Sequence, residues 1–511
     1  MIVDGETEPS TPVVRVDRDE PTPGWRAISR FDLLVAVAAA AIGIGQRIWI
    51  LNTPRLAYLD SDEAVVGLIA RQFPGQRPLF FWGQFYGGVA EPLLTAGVFR
   101  VFGASVVGLK LVPMGLCAVA ALLVGAIGRH FGGTRLGVLA ASVFWVWPAP
   151  FVWWSTKSRG FYWIVIVAGL VAVLMLLQFA ATQRRVGARA WWWRVTLLGL
   201  AIGVGWWSSP QIALIVVPMG VWFVLADFAR AWRVALGALP GFFVGSLAWW
   251  FDNFRSGFRS LESPVADADP FFERVARIIA DGTPMALGVK VPYAESWIAI
   301  GPLWLAIIVM GCIAGAVALL RPGWRGPGIA VVATLVTYPV LAAVSPLSGY
   351  VGEGRYLVFA SPFVALVLGA ALAKVPRGIA VAAVGALAIL TVAVLAAFTA
   401  VPGPAAPDVA VPDNITPLIE FLDDHDVTTV EADYWIAYRL VFESDERIVA
   451  ATTTGIIRND RYQDAVIGGA DARVFVVDSA ELHAFRADLE RRGVDYPFET
   501  VDGFVVYLLR E

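Results

Sequence analysis

The sequence is short of charge. Asp, Glu, Lys and Arg make up 16% of its 511 residues, against roughly a quarter in a soluble domain, so they cannot wet a large surface. That excludes a soluble enzyme, a fibre and a disordered scaffold. Cysteine and histidine are equally scarce. Cys117 and Cys312 fall inside apolar runs and read as small buried hydrophobes, which excludes a disulfide framework and a zinc site. His130, His425 and His483 lie far apart, so the sequence offers no histidine metal cluster. A net charge of −3 carries no polybasic signature for nucleic acid.

What the chain has instead is apolar length, with 58% of its residues hydrophobic. A helix needs about 20 apolar residues to cross a bilayer. Runs near that length cover 31–51, 106–128, 136–153, 161–181, 195–207, 212–229, 234–251, 297–320, 328–344, 356–373 and 379–400. They predict a polytopic α-helical membrane protein with about eleven transmembrane helices. Residues 1–30, acidic and proline-rich, have almost nothing to bury and predict a disordered tail. Every second short connection carries Arg or Lys, as at Arg129/Arg135, Arg184/Arg185, Arg230/Arg233 and Lys374/Arg377. By the positive-inside rule these connections are cytoplasmic, and so is the amino terminus. The first loop (52–105) and everything after Pro402 are then outside. The membrane part is expected over 31–400. Beyond it, 401–511 gains charge and short β-rich runs (427–430, 473–477, 504–508) alternating with helical patterns (415–422, 481–492). This predicts a small extracytoplasmic α/β domain behind a Pro402-Gly403-Pro404 and Pro407 linker.

The first outer loop concentrates the chemistry. Asp60-Ser61-Asp62-Glu63 places three carboxylates in four residues, directly before a short apolar helix expected to lie along the membrane surface. Helix capping accounts for one or two such acids, but not for three crowded where like charges repel and desolvation is costly. A second surface helix is expected over 89–102. It contains Glu91 and follows a stretch with Trp82, Gln84 and Tyr86. Lys157 and Arg159 sit in a short outer loop, and Arg355-Tyr356 at the mouth of a late span. These cations either snorkel to anchor helix ends, the reading preferred for Lys157 and Arg159, or meet a specific anion, which stands level with it for Arg355; their outer position, against the charge bias, is a modest reason for the anion. The run 433–440, which mixes aromatics with charges, is expected to pack against the membrane part, with acceptor recognition as the alternative.

In this order the features resemble the GT-C class of integral-membrane glycosyltransferases. The likeness is to glycosyltransferase family 39 and its bacterial relatives, which include protein O-mannosyltransferases and the enzyme that moves aminoarabinose onto lipid A. It rests on Asp62-Glu63 after the first span, surface helices in the same loop, Gly-Ala-Ser-Val-Val-Gly-Leu-Lys-Leu at 103–111, Arg355-Tyr356, and a soluble domain after the last span. The resemblance implies a plasma-membrane enzyme that passes a sugar from a polyprenyl-phosphate donor to an extracytoplasmic glycan, lipid or protein by single displacement. It implies Asp62 as base, Glu63 as its orienting or acceptor-binding neighbour, Asp60 as the substitute base, and Arg355 as the cation on the departing phosphate. The lipid A enzyme has a lysine late in this loop; here that stretch offers Gln84, Tyr86 and Glu91 for substrate binding, with Lys157 or Arg159 as the replacement charge. A carboxylate cluster suits a divalent cation, and oligosaccharyltransferases of the class use one, but the family 39 likeness implies none. The rival readings are a transporter or lipid flippase, and a non-catalytic envelope-assembly protein; ionisable residues gathered at one face argue against transport.

Overall fold

The structure, a computed structural model, describes residues 28–73, 75–181, 187–262, 269–294, 296–321, 325–345, 351–352, 354–401 and 411–510. The expected tail, bar residues 28–30, lies outside the described residues, as do Arg184, Arg185 and the Pro402–Pro407 linker prolines. Among the described residues, six helices are long and apolar enough to cross a membrane: Arg30–Leu51, Val106–Val146, Tyr162–Ala181, Gly301–Leu319, Arg355–Leu372 and Arg377–Phe398. The pair Phe228–Gly245 and Leu247–Ser256, bent by 67°, makes a seventh if it is one span.

The 41-residue stretch Val106–Val146 is a helical hairpin and not a single rod. Gly133 adopts φ 77°, a left-handed conformation open to glycine, and the chain reverses there. The two arms then pack on small residues: a Cβ at Gly128 would stand 2.8 Å from Leu136, and one at Gly125 3.3 Å from Ala141. Helix Ala188–Ser208 meets Phe228–Gly245 by the same device, through Gly199, Gly203, Gly241 and Gly245, whose added Cβ atoms would collide with facing backbone. Lipid gives apolar side chains no reason to associate, so close backbone approach and dispersion must hold such pairs together.

The last hundred residues form a five-stranded sheet: β1 (Thr429–Ala432), β2 (Val449–Thr452), β3 (Ala472–Val476), β4 (Phe498–Val501) and β5 (Phe504–Leu508), in the order β2-β1-β3-β5-β4. β2, β1 and β3 are parallel; β5 is antiparallel to β3 and to β4. Asp502-Gly503, both with positive φ, close the β4–β5 hairpin in the way a two-residue turn requires. The expected β-rich runs at 427–430, 473–477 and 504–508 correspond to β1, β3 and β5; β2 and β4, each four residues long, are additional to them.

One expectation changes. The apolar helix expected on the membrane surface, Ser61–Gln72, does not present an open apolar face; nearly all of it is buried within the protein. Helix Tyr434–Glu443, the crossover from β1 to β2, lies on it, so that Val65, Val66, Leu68 and Ile69 share a core with Ile436, Leu440, Val441 and Phe442. Gly67 makes room for Phe442, whose ring carbon Cδ2 would be 2.9 Å from an added Cβ. Arg71 completes the joint, over the Phe442 ring at 4.5 Å and 3.0 Å from Asp445. The amphipathic pattern was sound, but protein rather than headgroups covers the apolar face.

Candidate functional site

The carboxylate cluster is organised by a helix start. Asp60 is the N-cap of Ser61–Gln72, and its Oδ1 accepts from the Glu63 amide at 3.0 Å. Asp62 and Glu63 therefore occupy the first turn. Consecutive helical residues point about 100° apart, so the two side chains enter different surroundings. Glu63 turns into the helical bundle and Asp62 towards the sheet domain.

Glu63 has no exposed surface. Lys110 Nζ donates to both its oxygens, at 2.9 and 3.0 Å. Lys157 Nζ donates to Oε2 at 2.9 Å, and the Ser158 amide to Oε1 at 3.1 Å. Burial alone would raise this carboxyl, but Lys110, Lys157 and Arg159 outweigh it and hold Glu63 below its ordinary range. The Lys157 ammonium is itself fully enclosed, giving another bond to the Tyr58 carbonyl at 2.6 Å. Ser158 links this group to Glu91, its hydroxyl donating to Oε1 at 2.6 Å. Burial pushes the Glu91 carboxyl up to about 7, against bonds from Ser158 and the Gly160 backbone and with help from the Glu63 charge.

Asp62 faces a different set. Arg159 Nη1 donates to its Oδ2 at 2.9 Å, while Arg159 Nη2 reaches Asp60 Oδ2 at 2.8 Å, so one guanidinium bridges both aspartates. The hydroxyl of Tyr434 donates to Asp62 Oδ1 at 2.6 Å, and Arg458 Nη2 approaches the same oxygen at 3.5 Å. Arg458 also donates to the Tyr434 hydroxyl at 3.1 Å and, through Nη1, to Gln84 Oε1 at 2.8 Å. Burial raises the Asp62 carboxyl; Arg159, Arg458, the Tyr434 hydroxyl and the Arg355 charge more than reverse this and hold it at about 2. Asp60 goes the other way, raised by burial despite Arg159 and Lys157.

The structure thus brings Asp60, Asp62, Glu63, Glu91, Lys157, Arg159 and Gln84 into one connected set, with Arg355 near enough for its charge to act on Asp62. Tyr86 is joined through its carbonyl, which accepts from Gln84 Nε2 at 3.0 Å. Tyr356 stands apart in the packed core, its ring 6.4 Å from that of Tyr162 and its carbonyl accepting from the Tyr338 hydroxyl at 2.6 Å. Three members went unassigned from sequence. Lys110 lies within the 103–111 segment and was visible there as a lone lysine. Tyr434 and Arg458 are 372 and 396 positions from Asp62; the sequence points to packing of the 433–440 run on the membrane part but not to Asp62 as the partner.

Below the Arg355–Ala360 turn lies a mainly apolar cavity of about 110 Å³, lined by Pro148, Phe151, Leu287, Leu335, Leu357 and Val364, with Tyr338, Thr283 and Ser361 contributing hydroxyls. Among the described residues no group of three His, Cys, Asp or Glu side chains is arranged to hold a metal ion. The oxygens of Asp60, Asp62 and Glu63 are directed at Lys, Arg, Tyr or backbone donors, a donor set that does not fit a divalent cation.

Neither a protein-family model nor a curated protein matches the sequence. Solved structures do. ArnT from Cupriavidus metallidurans bound to undecaprenyl phosphate matches with a TM-score of 0.61 at 12% identity, over 94% of this chain and 98% of that one. The apo state of the same protein matches at 0.61 and 13% identity, over 93% and 97%. The archaeal oligosaccharyltransferase AglB from Archaeoglobus fulgidus, in complex with an inhibitory peptide and a dolichol-phosphate, matches at 0.50 and 13% identity, over 94% of this chain and 74% of that one. Both are glycosyltransferases of the GT-C fold. At such identities the likeness speaks for architecture, and the architecture is GT-C, including the sheet domain that follows the last membrane helix.

Proposed function

With the GT-C fold as premise, we propose that this protein is a membrane glycosyltransferase. It moves a sugar from a polyprenyl-phosphate donor to an acceptor hydroxyl on the extracytoplasmic side, by single displacement and without a divalent metal. The observation that carries the reading is the cationic surround of Asp62. Arg159 and Arg458 border its two oxygens and the Arg355 charge acts on it, at the junction of the helical bundle and the sheet domain. Guanidinium groups gathered in one place suit an anionic ligand. A lipid phosphate is such an anion, and the apolar cavity lined by Leu335, Leu357 and Val364 suits isoprene units of its tail.

The chemistry follows from the two sides of the set. The acceptor hydroxyl gives its proton to Asp62 as its oxygen bonds to the anomeric carbon; the bond from that carbon to the phosphate oxygen breaks, and the electron pair leaves with the phosphate. Arg355 stabilises the charge that develops there, an effect that grows where water is excluded. Arg159 ties Asp62 to Asp60, so the base keeps its place through the reaction. Glu63 acts in this scheme by fixing Lys110, Lys157 and the Ser158 backbone, which set the loop that carries Arg159. The count of eleven spans, the cytoplasmic amino terminus and the outer placement of the sheet domain belong to this proposal. A transporter is less consistent with the site, because the ion pairs of Asp60, Asp62 and Glu63 gather at one end of the helical bundle, Lys110 being only the fifth residue of Val106–Val146, and are not spread along the length of a span.

Asp62→Asn tests the reading. In the full-length protein, reconstituted with undecaprenyl-phosphate-linked sugars and bacterial envelope acceptors, the variant should retain binding of undecaprenyl phosphate and lose transfer by at least about a hundredfold, the usual worth of a general base. Arg355→Ala should weaken undecaprenyl phosphate binding as well. Unchanged transfer by the Asn variant removes Asp62 from the base role.

A further inference from the structure

The outer domain contributes atoms to this site. In parallel sheets, ligand-contacting loops gather where the strands end. β1 and β2 are parallel neighbours, and the chain leaving each of them reaches Asp62: Tyr434 follows the end of β1 at Ala432, and Arg458 lies in the loop after β2 ends at Thr452. The two loops are tied together. Asp433 accepts from the Thr454 hydroxyl, Gly455 lies against Tyr434 with room for an added Cβ only 3.1 Å from the tyrosine Cβ, and Arg458 Nε donates to the tyrosine hydroxyl. From the membrane side Gly83, at φ 68°, presses on residues 457–458, where an added Cβ would collide with the Ile457 carbonyl.

A general base takes a proton from a hydroxyl held at about 2.6–3.2 Å. The Tyr434 hydroxyl already stands at 2.6 Å from Asp62 Oδ1 and donates to it. Arg458 borders the same oxygen and Arg159 holds the other. We propose that Tyr434 and Arg458 form an acceptor-side latch, in which the phenol occupies the place of the acceptor hydroxyl and Asp62 is released only when an incoming hydroxyl displaces it. This rests on the transferase reading above, which makes Asp62 the group an acceptor must reach. Tyr434 is then a positioning residue that keeps water off the base when no acceptor is bound, and the carboxyl edge of the outer sheet is the acceptor's wall of the site.

The latch is tested by carbodiimide labelling of the full-length protein in detergent micelles with an amine nucleophile, the labelled peptides being quantified by mass spectrometry. The reagent attacks protonated, accessible carboxyls. Wild-type Asp62 should label far more slowly than the exposed Asp424. Tyr434→Phe, which keeps the ring and removes one hydrogen bond to a charged group, should speed Asp62 labelling about tenfold and leave Asp424 unchanged. Arg458→Lys should speed it less, because a charge remains near Oδ1 while the fork to Tyr434 and Gln84 is lost. Wild-type labelling of Asp62 as fast as that of Asp424 overturns the latch, and so does a Tyr434→Phe rate equal to wild type. Should Tyr434→Phe not fold, the wild-type comparison and Arg458→Lys still decide. Labelling reads the carboxylate and not turnover, so a failed latch is distinguishable from a failed transferase reading, which would appear as transfer surviving in Asp62→Asn.

Discussion

Glu63→Gln separates the supporting core of the site from its chemistry. Glu63 is wholly buried between two ammonium groups, each 2.9 Å from a carboxylate oxygen. At an effective dielectric of about 20, each pair attracts by roughly 6 kcal/mol before desolvation is counted. Glutamine keeps the shape and removes the charge, leaving two cations enclosed; Lys157 then has Asp60, at 3.6 Å, as its remaining acid, while Lys110 keeps the Thr156 carbonyl at 3.5 Å. Breaking a buried pair from one side costs about 3–5 kcal/mol, and that is the expected loss. Thermal unfolding of the detergent-solubilised protein, followed by tryptophan fluorescence, measures it. Adding Lys110→Met to Glu63→Gln should recover part of the loss, because the stranded cation is gone. The pH dependence has a definite sign. Glu63 titrates below its ordinary range in the folded protein, so its contribution is present above that range and lost as pH falls through the folded value. The penalty of the Gln variant should therefore shrink on acidification. A melting temperature within a degree of wild type at neutral pH would refute the reasoning.

Other outcomes follow from the same geometry. Glu91, raised to about 7, behaves oppositely to Glu63: its neutral form suits the folded state, and the advantage is lost as pH rises through 7. Glu91→Gln should therefore unfold near the wild-type temperature at pH 5 and above it at pH 8; equal melting at both values contradicts the assignment. Gly67→Ala places a methyl group against the Phe442 ring, and overpacking of that kind costs about 1–3 kcal/mol. Its signature should be faster proteolytic release of the outer domain, relieved by Phe442→Leu. Gly83→Ala combines a left-handed φ with a backbone collision at Ile457 and should release Asp62 from Arg458, seen as faster carbodiimide labelling at Asp62.

The fold and half of the site were legible in the sequence for different physical reasons. Apolar runs report burial in lipid directly, so the helical membrane class followed from length alone. Asp60, Asp62 and Glu63 stood out because three acids at a membrane boundary are costly unless something compensates them, and Lys157 and Arg159 turned out to be that compensation. For Ser61–Gln72 an amphipathic pattern says that a face is covered without saying by what, and helix Tyr434–Glu443 is that cover. Gly67 was the local clue, a helix-weakening residue on a packed face, but its partner Phe442 lies in another domain. Tyr434 and Arg458 were invisible for the same reason: local pattern holds no record of how two domains dock. The 433–440 run was nevertheless expected to pack on the membrane part, and Tyr434 does so through its bond to Asp62.

The distance in sequence between Asp62 and its partners sets an order of assembly. Arg159 is in place once the first third of the polypeptide has been made, whereas Tyr434 and Arg458 arrive with the final hundred residues. During synthesis the aspartate therefore passes through a stage in which one oxygen is held by Arg159 and the other is open to solvent. Only when the terminal sheet has folded and come to rest on Ser61–Gln72 do Tyr434 and Arg458 reach that second oxygen, so a ribosome stalled before Tyr434 is made leaves Asp62 without them.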